Sequence, residues 1–244
     1  MARRLKICIL GNSVALRNRP VEKYPNNKNY GTLLEEILSQ KQDVSLVNKG
    51  IGRATVLDVQ KELDRHINEF PDYYILNIGV CDAATRPIPY WYGEIINNSH
   101  KNTLIKAVLS SIYYRLIKPY SSFFVRLRGK RSWISSKRFK KSFQFIVSEL
   151  IKDTNSRIII MSINNVNDRL ERIVPGSGKK YQEYNRIMKK IADEKALTYL
   201  DTTDMLDVDY YPDGTHFNLD GNKEIANRLS RIIINNINQI GTIV

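Results

Sequence analysis

At 244 residues and a formal charge of +13, the chain is long enough for one well-buried domain, and no Gly-, Pro- or Ser-rich linker divides it, so residues 1–244 read as a single unit. No apolar run approaches the roughly 20 residues of a membrane-spanning helix, and Ile7 to Leu10 is too short for a signal-peptide core despite Arg3 and Arg4 before it, so the expected location is cytoplasmic. Cys8 and Cys81 read as reduced thiols, and His66, His100 and His216 have no paired spacing that would suggest a metal site.

In chain order, Leu5 to Leu10 reads as a first strand running into the turn Gly11-Asn12-Ser13. Tyr30 to Gln40 carries Leu33, Leu34, Ile37 and Leu38 at helical spacing. Val44 to Val47 suits a second buried strand, and Asn48 to Gly52 turns into a helix expected over Ala54 to Ile67. Further strands are expected at Tyr73 to Ile78, Arg157 to Ile163 and Leu197 to Leu200, with helices at Tyr181 to Glu194 and Asn222 to Ile237. The alternation predicts an α/β fold, a three-layer α/β/α sandwich around a five-stranded parallel sheet. Ligand chemistry gathers at the carboxyl edge of such sheets, where Ser13, Gly52, Cys81, Asn164 and Asn165 would fall.

Two motifs carry chemistry. Near the end, Asp213-Gly214-Thr215-His216 places a carboxylate three residues before an imidazole, close enough to accept the Nδ1 proton and leave Nε2 as a base. Near the start, a small turn after a strand presents the Ser13 hydroxyl as a nucleophile. Each alone is an ordinary turn signal; together, at the two ends of an alternating chain, they point to acyl transfer.

The two ends together resemble the SGNH, or GDSL-like, hydrolase family, in which a Gly-Asp-Ser turn follows the first strand and an Asp-x-x-His motif precedes the last helix. Here Asn12 stands where Asp is usual, and Asn218, Gly221, Ile225 and Ala226 match the positions after the histidine. The resemblance implies a flavodoxin-like SGNH fold and a triad of Ser13 as nucleophile, His216 as base and Asp213 as its orienter, with no cofactor. It implies an oxyanion hole from the Ser13 amide, a backbone amide at Gly52 or Arg53, and an Asn side chain whose place is taken by Cys81 in Gly79-Val80-Cys81-Asp82. A thiol is a weak donor, which leaves room for Asn164, Asn165 or Asn12 to serve instead, for a site with two donors, or for one without acyl transfer. Cys81 as a nucleophile gives way to a small loop residue filling a gap. Asp82 is expected to pin loops, Arg86 to bind a substrate anion or to pair with Asp82, and Asn165 to lie at the substrate site.

Between residues 95 and 148 there are twelve Lys and Arg and no Asp or Glu, interleaved with aromatic and aliphatic residues. An extension this long exceeds an ordinary crossover, and two helices are expected in it, Thr103 to Ile117 and Lys137 to Ile151, around an irregular basic segment that caps the active-site edge or projects from it. Such a surface suits an anionic membrane face or a polyanion, contacted through Arg126, Arg128, Lys130 and Arg131; nucleic acid is the least favoured partner, as no module signature is present. The expected activity is hydrolysis of an O-acyl ester, with an O-acetylated carbohydrate of surface polysaccharide synthesis as the favoured substrate. An O-acyltransferase using the same residues and a non-catalytic binding protein are the alternatives.

Overall fold

Short runs rich in Ile, Val, Leu and Tyr, too short for stable helices and bounded by polar turns, form the strands of this protein. The computed structural model describes residues 4–16, 28–97, 104–205 and 210–241. Five strands, β1 (Leu5–Gly11), β2 (Val44–Asn48), β3 (Tyr73–Asn77), β4 (Arg157–Met161) and β5 (Thr198–Leu200), pair in the order β2-β1-β3-β4-β5, all parallel. Ile9 lies opposite Asn48 on one side and Ile75 on the other, so β1, β2 and β3 end side by side at the carboxyl edge.

Around the sheet lie α1 (Tyr30–Ser39), α2 (Val56–Lys61), α3 (Leu63–Ile67), α4 (Val80–Ala83), α5 (Tyr90–Asn97), α6 (Leu104–Ile112), α7 (Ser121–Leu127), α8 (Ser136–Asp153), α9 (Asp168–Ile173), α10 (Ser177–Glu194) and α11 (Leu219–Gly241). α1 packs against α11, while α8 packs against α2, α3 and α10. α8 turns Phe139, Phe143, Ile146, Val147 and Leu150 inward at the three- and four-residue spacing of one helical face. All five are fully buried, and each such side chain contributes about 1.5–3 kcal/mol. α11 does the same with Ile225, Ala226, Leu229 and Ile233.

Helix starts follow side-chain capping. Asn29 accepts from the Thr32 amide at 3.0 Å, and Thr55 and Asp58 form a reciprocal capping box at the start of α2. The single helix expected over Ala54 to Ile67 is instead two, because the backbone at Glu62 (φ −97°, ψ 11°) leaves the helical region. β3 and β4 end at Asn77 and Met161, shorter than expected.

The basic insertion holds more helix than its two expected segments. α5 and α7 were not anticipated, since Tyr90-Trp91-Tyr92 after two prolines and Phe123-Phe124-Val125 both favour extended backbone. α6 continues through a π-helical turn at Tyr113–Ile117, and Thr103 lies outside the described residues. The segment is docked rather than loose. The Ser132 hydroxyl donates to the Ala83 carbonyl at 2.7 Å, the Arg86 amide to the Arg131 carbonyl at 3.0 Å, and the Trp133 indole to the Ile88 carbonyl at 3.1 Å. Arg128 donates to the Arg86 carbonyl at 2.9 Å and is half-buried, so it braces this loop instead of joining Arg126, Lys130 and Arg131 on the surface. Among the described residues no helix is long and apolar enough to cross a membrane.

Candidate active site

β1 runs out at Gly11, and the chain tightens at once into a single 3₁₀ turn, Ser13–Ala15. Asn12 caps it: its Oδ1 accepts from the Val14 amide at 3.0 Å, while its own amide donates to the Asn77 carbonyl at 3.3 Å. Asn12 is therefore locked between β1 and β3 with its Nδ2 buried and unpartnered, and Ser13 is left half-buried at the carboxyl edge. At the first position of a helical turn the Ser13 N–H has no acceptor within that turn.

From the other end of the chain comes His216. The Gly214 amide donates to the Tyr211 carbonyl at 2.8 Å with Gly214 at φ 82°, a conformation that glycine alone adopts without strain. That turn folds Asp213 back on the two residues after it. Its Oδ1 accepts from the Thr215 and His216 amides at 2.8 and 2.7 Å, and its Oδ2 faces His216 Nδ1 at 2.8 Å. On the far side of the ring, Nε2 meets the Ser13 hydroxyl at 2.9 Å. Residues 203 apart in sequence are thus joined in one hydrogen-bonded line.

Burial would push the Asp213 carboxyl up, but the hydrogen bonds from the His216 ring and the His216 and Thr215 amides outweigh it and hold Asp213 below its ordinary value. An ionised Asp213 can only accept, so the proton of His216 sits on Nδ1. Nε2 is then the acceptor for the Ser13 hydroxyl, the arrangement that general-base activation of a serine requires.

Residues with no place in the motifs hold this line in register. Asn222 accepts from the Tyr30 amide at 2.9 Å and donates to the Phe217 carbonyl at 3.1 Å, and Asn77 donates to the Tyr30 hydroxyl at 3.0 Å. The end of β3, the start of α1 and the loop after His216 are tied together through one buried tyrosine. Sequence reasoning did not find them, because their partners lie 47 and 192 residues away. Gly221 is needed for a close approach: a Cβ there would stand 2.5 Å from the Tyr210 carbonyl. Gly221→Ala is expected to cost about 1–3 kcal/mol, read as a lowered midpoint in thermal denaturation, as the backbone shifts to relieve the contact.

The remaining expected site residues divide. Gly52 and Arg53 lie exposed in the loop after β2, Arg53 at φ 67°, with the Ile51 amide donating to the Gly11 carbonyl at 3.0 Å and so holding that loop beside the end of β1. Cys81 is not in the cleft: it is buried in the core, where loss of hydration pushes its thiol up to about 12, so it is neither a thiolate nor an exposed donor. Asp82 does pin a loop, accepting from the Val56 amide at 2.9 Å, but it forms no salt bridge with Arg86. The Arg86 guanidinium instead lies over the Trp133 ring at 4.4 Å. Asn165 is exposed, with its amide on the Thr203 carbonyl at 2.5 Å, while Asn164 is buried beside Val14, Asn77 and Phe217.

A cavity of about 530 Å³ opens next to the Gly52 loop. Arg53, Asp58, Glu62, Glu94, Asn97 and Trp133 line it, with Arg53 hydrogen-bonded to Asn97 across it, so α5, which leads into the insertion, forms a wall of this cavity. Burial and then the nearby Asp58 raise the Glu94 carboxyl. Among the described residues no group of His, Cys, Asp and Glu could hold a metal ion.

The family model described as the GDSL-like lipase/acylhydrolase family matches residues 9–224. Similar solved structures include a lipase/acylhydrolase from Enterococcus faecalis (TM-score 0.62, 15% identity, covering 94% of this chain and 95% of that one). The acetyl xylan esterase AlAXEase gives a TM-score of 0.63 at 16% identity, covering 94% and 100%. Axe2, an acetylxylan esterase from Geobacillus stearothermophilus, gives 0.59 at 18%, covering 95% and 93%. Likenesses at this identity concern the fold. A search of curated proteins found no match.

Proposed function

Since the chain belongs to the GDSL-like lipase/acylhydrolase family, and so to the ester-bond hydrolases, we propose that Ser13, His216 and Asp213 are its catalytic triad. The observation that carries this reading is the unbroken line from Asp213 through His216 to Ser13, at 2.8 and 2.9 Å. As the Ser13 Oγ attacks the acyl carbonyl, its proton passes to His216 Nε2, and the ion pair with Asp213 stabilises the imidazolium that forms. The tetrahedral intermediate collapses when His216 returns that proton to the departing alcohol oxygen. Water, deprotonated by the same Nε2, then attacks the acyl-enzyme and releases the acid, restoring Ser13.

The developing oxyanion needs fixed donors, each typically worth about 2.7–4 kcal/mol of barrier. The Ser13 amide and the backbone of the Gly52–Arg53 loop, both at the carboxyl edge, are the candidates. With Cys81 buried, the hole works with backbone donors and without the side-chain amide usual to the family.

For the substrate we infer a short acyl ester on a carbohydrate. The cavity beside the Gly52 loop is lined by the carboxylates of Asp58, Glu62 and Glu94, the Asn97 amide and the cations Arg53 and Lys61, with Ile51, Ala54 and Trp133 among them. The polar groups bind sugar hydroxyls and would cost energy to desolvate against a long alkyl chain. Acetyl xylan esterases among the structural neighbours agree with this direction. Acetate release from O-acetylated xylooligosaccharides, compared with hydrolysis of p-nitrophenyl octanoate, tests it. A clear preference in kcat/KM for the acetylated sugar is expected; a preference for the octanoate would replace the saccharide with a lipid-like ester.

A further inference from the structure

α6 is apolar on two faces, and only one of them is used. Its inner side, Leu109, Tyr113 and Ile117, packs on Ile88, Tyr92 and Ile96, with the Tyr92 hydroxyl donating to the Leu109 carbonyl at 2.9 Å. On the outer side, Leu104, Val108 and Ile112, and Leu116 in the π-helical turn that follows, repeat at four-residue spacing and lie exposed, Leu104 at 85%. α7 repeats the pattern: Ser121 and Val125 are buried, while Phe123 and Leu127 point outward at 62% and 70% exposure. Isolated exposed leucines are ordinary, but a run of outward aliphatic and aromatic side chains on successive helices marks an interaction surface.

Charge identifies the occupant. Exposed Arg115, Lys118, Arg126, Lys130 and Arg131 lie along this stretch of chain, and residues 95–148 hold no carboxylate at all. We propose that the outer face of α6 and α7 docks on an anionic lipid bilayer, the apolar residues entering the headgroup boundary and the cations pairing with lipid phosphates and carboxylates. A second copy of the chain fits less well, because a symmetric contact would set this unbroken positive field against itself. Nucleic acid would satisfy the cations but leave the exposed leucines and phenylalanine in water. This surface shares no residue with the Ser13 triad and does not depend on its chemistry.

Co-sedimentation of the full chain with phosphatidylcholine vesicles, with and without phosphatidylserine, at low and high salt, tests the proposal. Binding is expected only with phosphatidylserine, weakening as salt rises. Arg115→Gln, Lys118→Gln and Arg126→Gln together should weaken it on the order of a hundredfold. Val108→Glu with Leu116→Glu should also abolish it while leaving the circular dichroism spectrum unchanged. The proposal is overturned if the wild-type protein ignores phosphatidylserine, or if a variant pair that stays folded binds as well as wild type. It is equally overturned if sedimentation velocity shows a dimer that Leu116→Glu dissolves, which would assign the face to a second copy. The wild-type comparison between lipids holds even where a variant does not fold.

Discussion

Ser13→Ala and His216→Ala are each expected to lower kcat/KM for a small acyl ester by at least about a thousandfold, and the double variant to be scarcely worse than either single one. The reason is geometric. Without the hydroxyl the imidazole has nothing to deprotonate, and without Nε2 at 2.9 Å the hydroxyl stays protonated, so either change removes the same step. Stability should barely change for Ser13→Ala, with a thermal midpoint within about 2 °C of wild type, since Ser13 is half-buried and the turn is held by Asn12. Asp213→Asn separates roles. An amide at that position can donate to Nδ1 and would then force the proton onto Nε2, so a large loss in kcat with a nearly unchanged KM is expected from steady-state kinetics. A loss confined to KM would instead make Asp213 a substrate contact.

The second large effect concerns stability and lies one loop away, at Asp82. This carboxyl is fully buried, with Oδ1 on the Val56 amide and Oδ2 without any partner, and burial pushes it up to about 7, Asp58 adding to the rise and Arg86 opposing it. A group whose folded pKa lies above its unfolded value contributes stability that is fully present below the unfolded value and lost as pH rises through the folded one. Between about pH 4 and pH 7 the unfolded chain has released this proton while the folded protein retains it. The gap from 3.8 to about 7 corresponds to about 4 kcal/mol, lost across that window. Asp82→Asn keeps an acceptor for the Val56 amide and cannot ionise. Relative to wild type it should therefore gain about 4 kcal/mol from pH 4 to pH 8 in urea denaturation, on top of a constant offset from the buried amide. Comparing the two proteins cancels His66, which is buried with its pKa lowered and has the opposite dependence. Parallel pH profiles would show that Asp82 is ionised in the folded protein throughout.

What could be read from residues alone was whatever rests on local chemistry. β1 and the turn after it, the Asp213–His216 spacing and the α/β alternation each depend on a few neighbours, and each stands in the structure at the expected place. The line to Ser13 was reached by pairing two such local signals across the chain. What escaped was set by packing. Cys81 stands where the resemblance implies an oxyanion donor, yet α4 is a single buried turn that carries its side chain into the core, where it fills space as a small residue. Arg86 and Asp82 are four residues apart, so pairing stands beside substrate binding as a reading of Arg86, but Trp133 from the insertion lies under the guanidinium instead. The Tyr30, Asn77 and Asn222 network joins residues that no spacing rule connects. α5 and α7 form against local preference because packing buries one face of each, α5 against α6 and its continuation and α7 beside α9, which is tertiary context overriding propensity.

The most direct test of the triad is labelling of the purified protein with a fluorophosphonate, read by intact mass, with Ser13→Ala and His216→Ala alongside. A single adduct on the wild-type protein, absent from Ser13→Ala and slowed severely in His216→Ala, is the predicted result. A folded wild-type protein that takes no label, or an adduct that survives Ser13→Ala, would contradict an activated serine at this position.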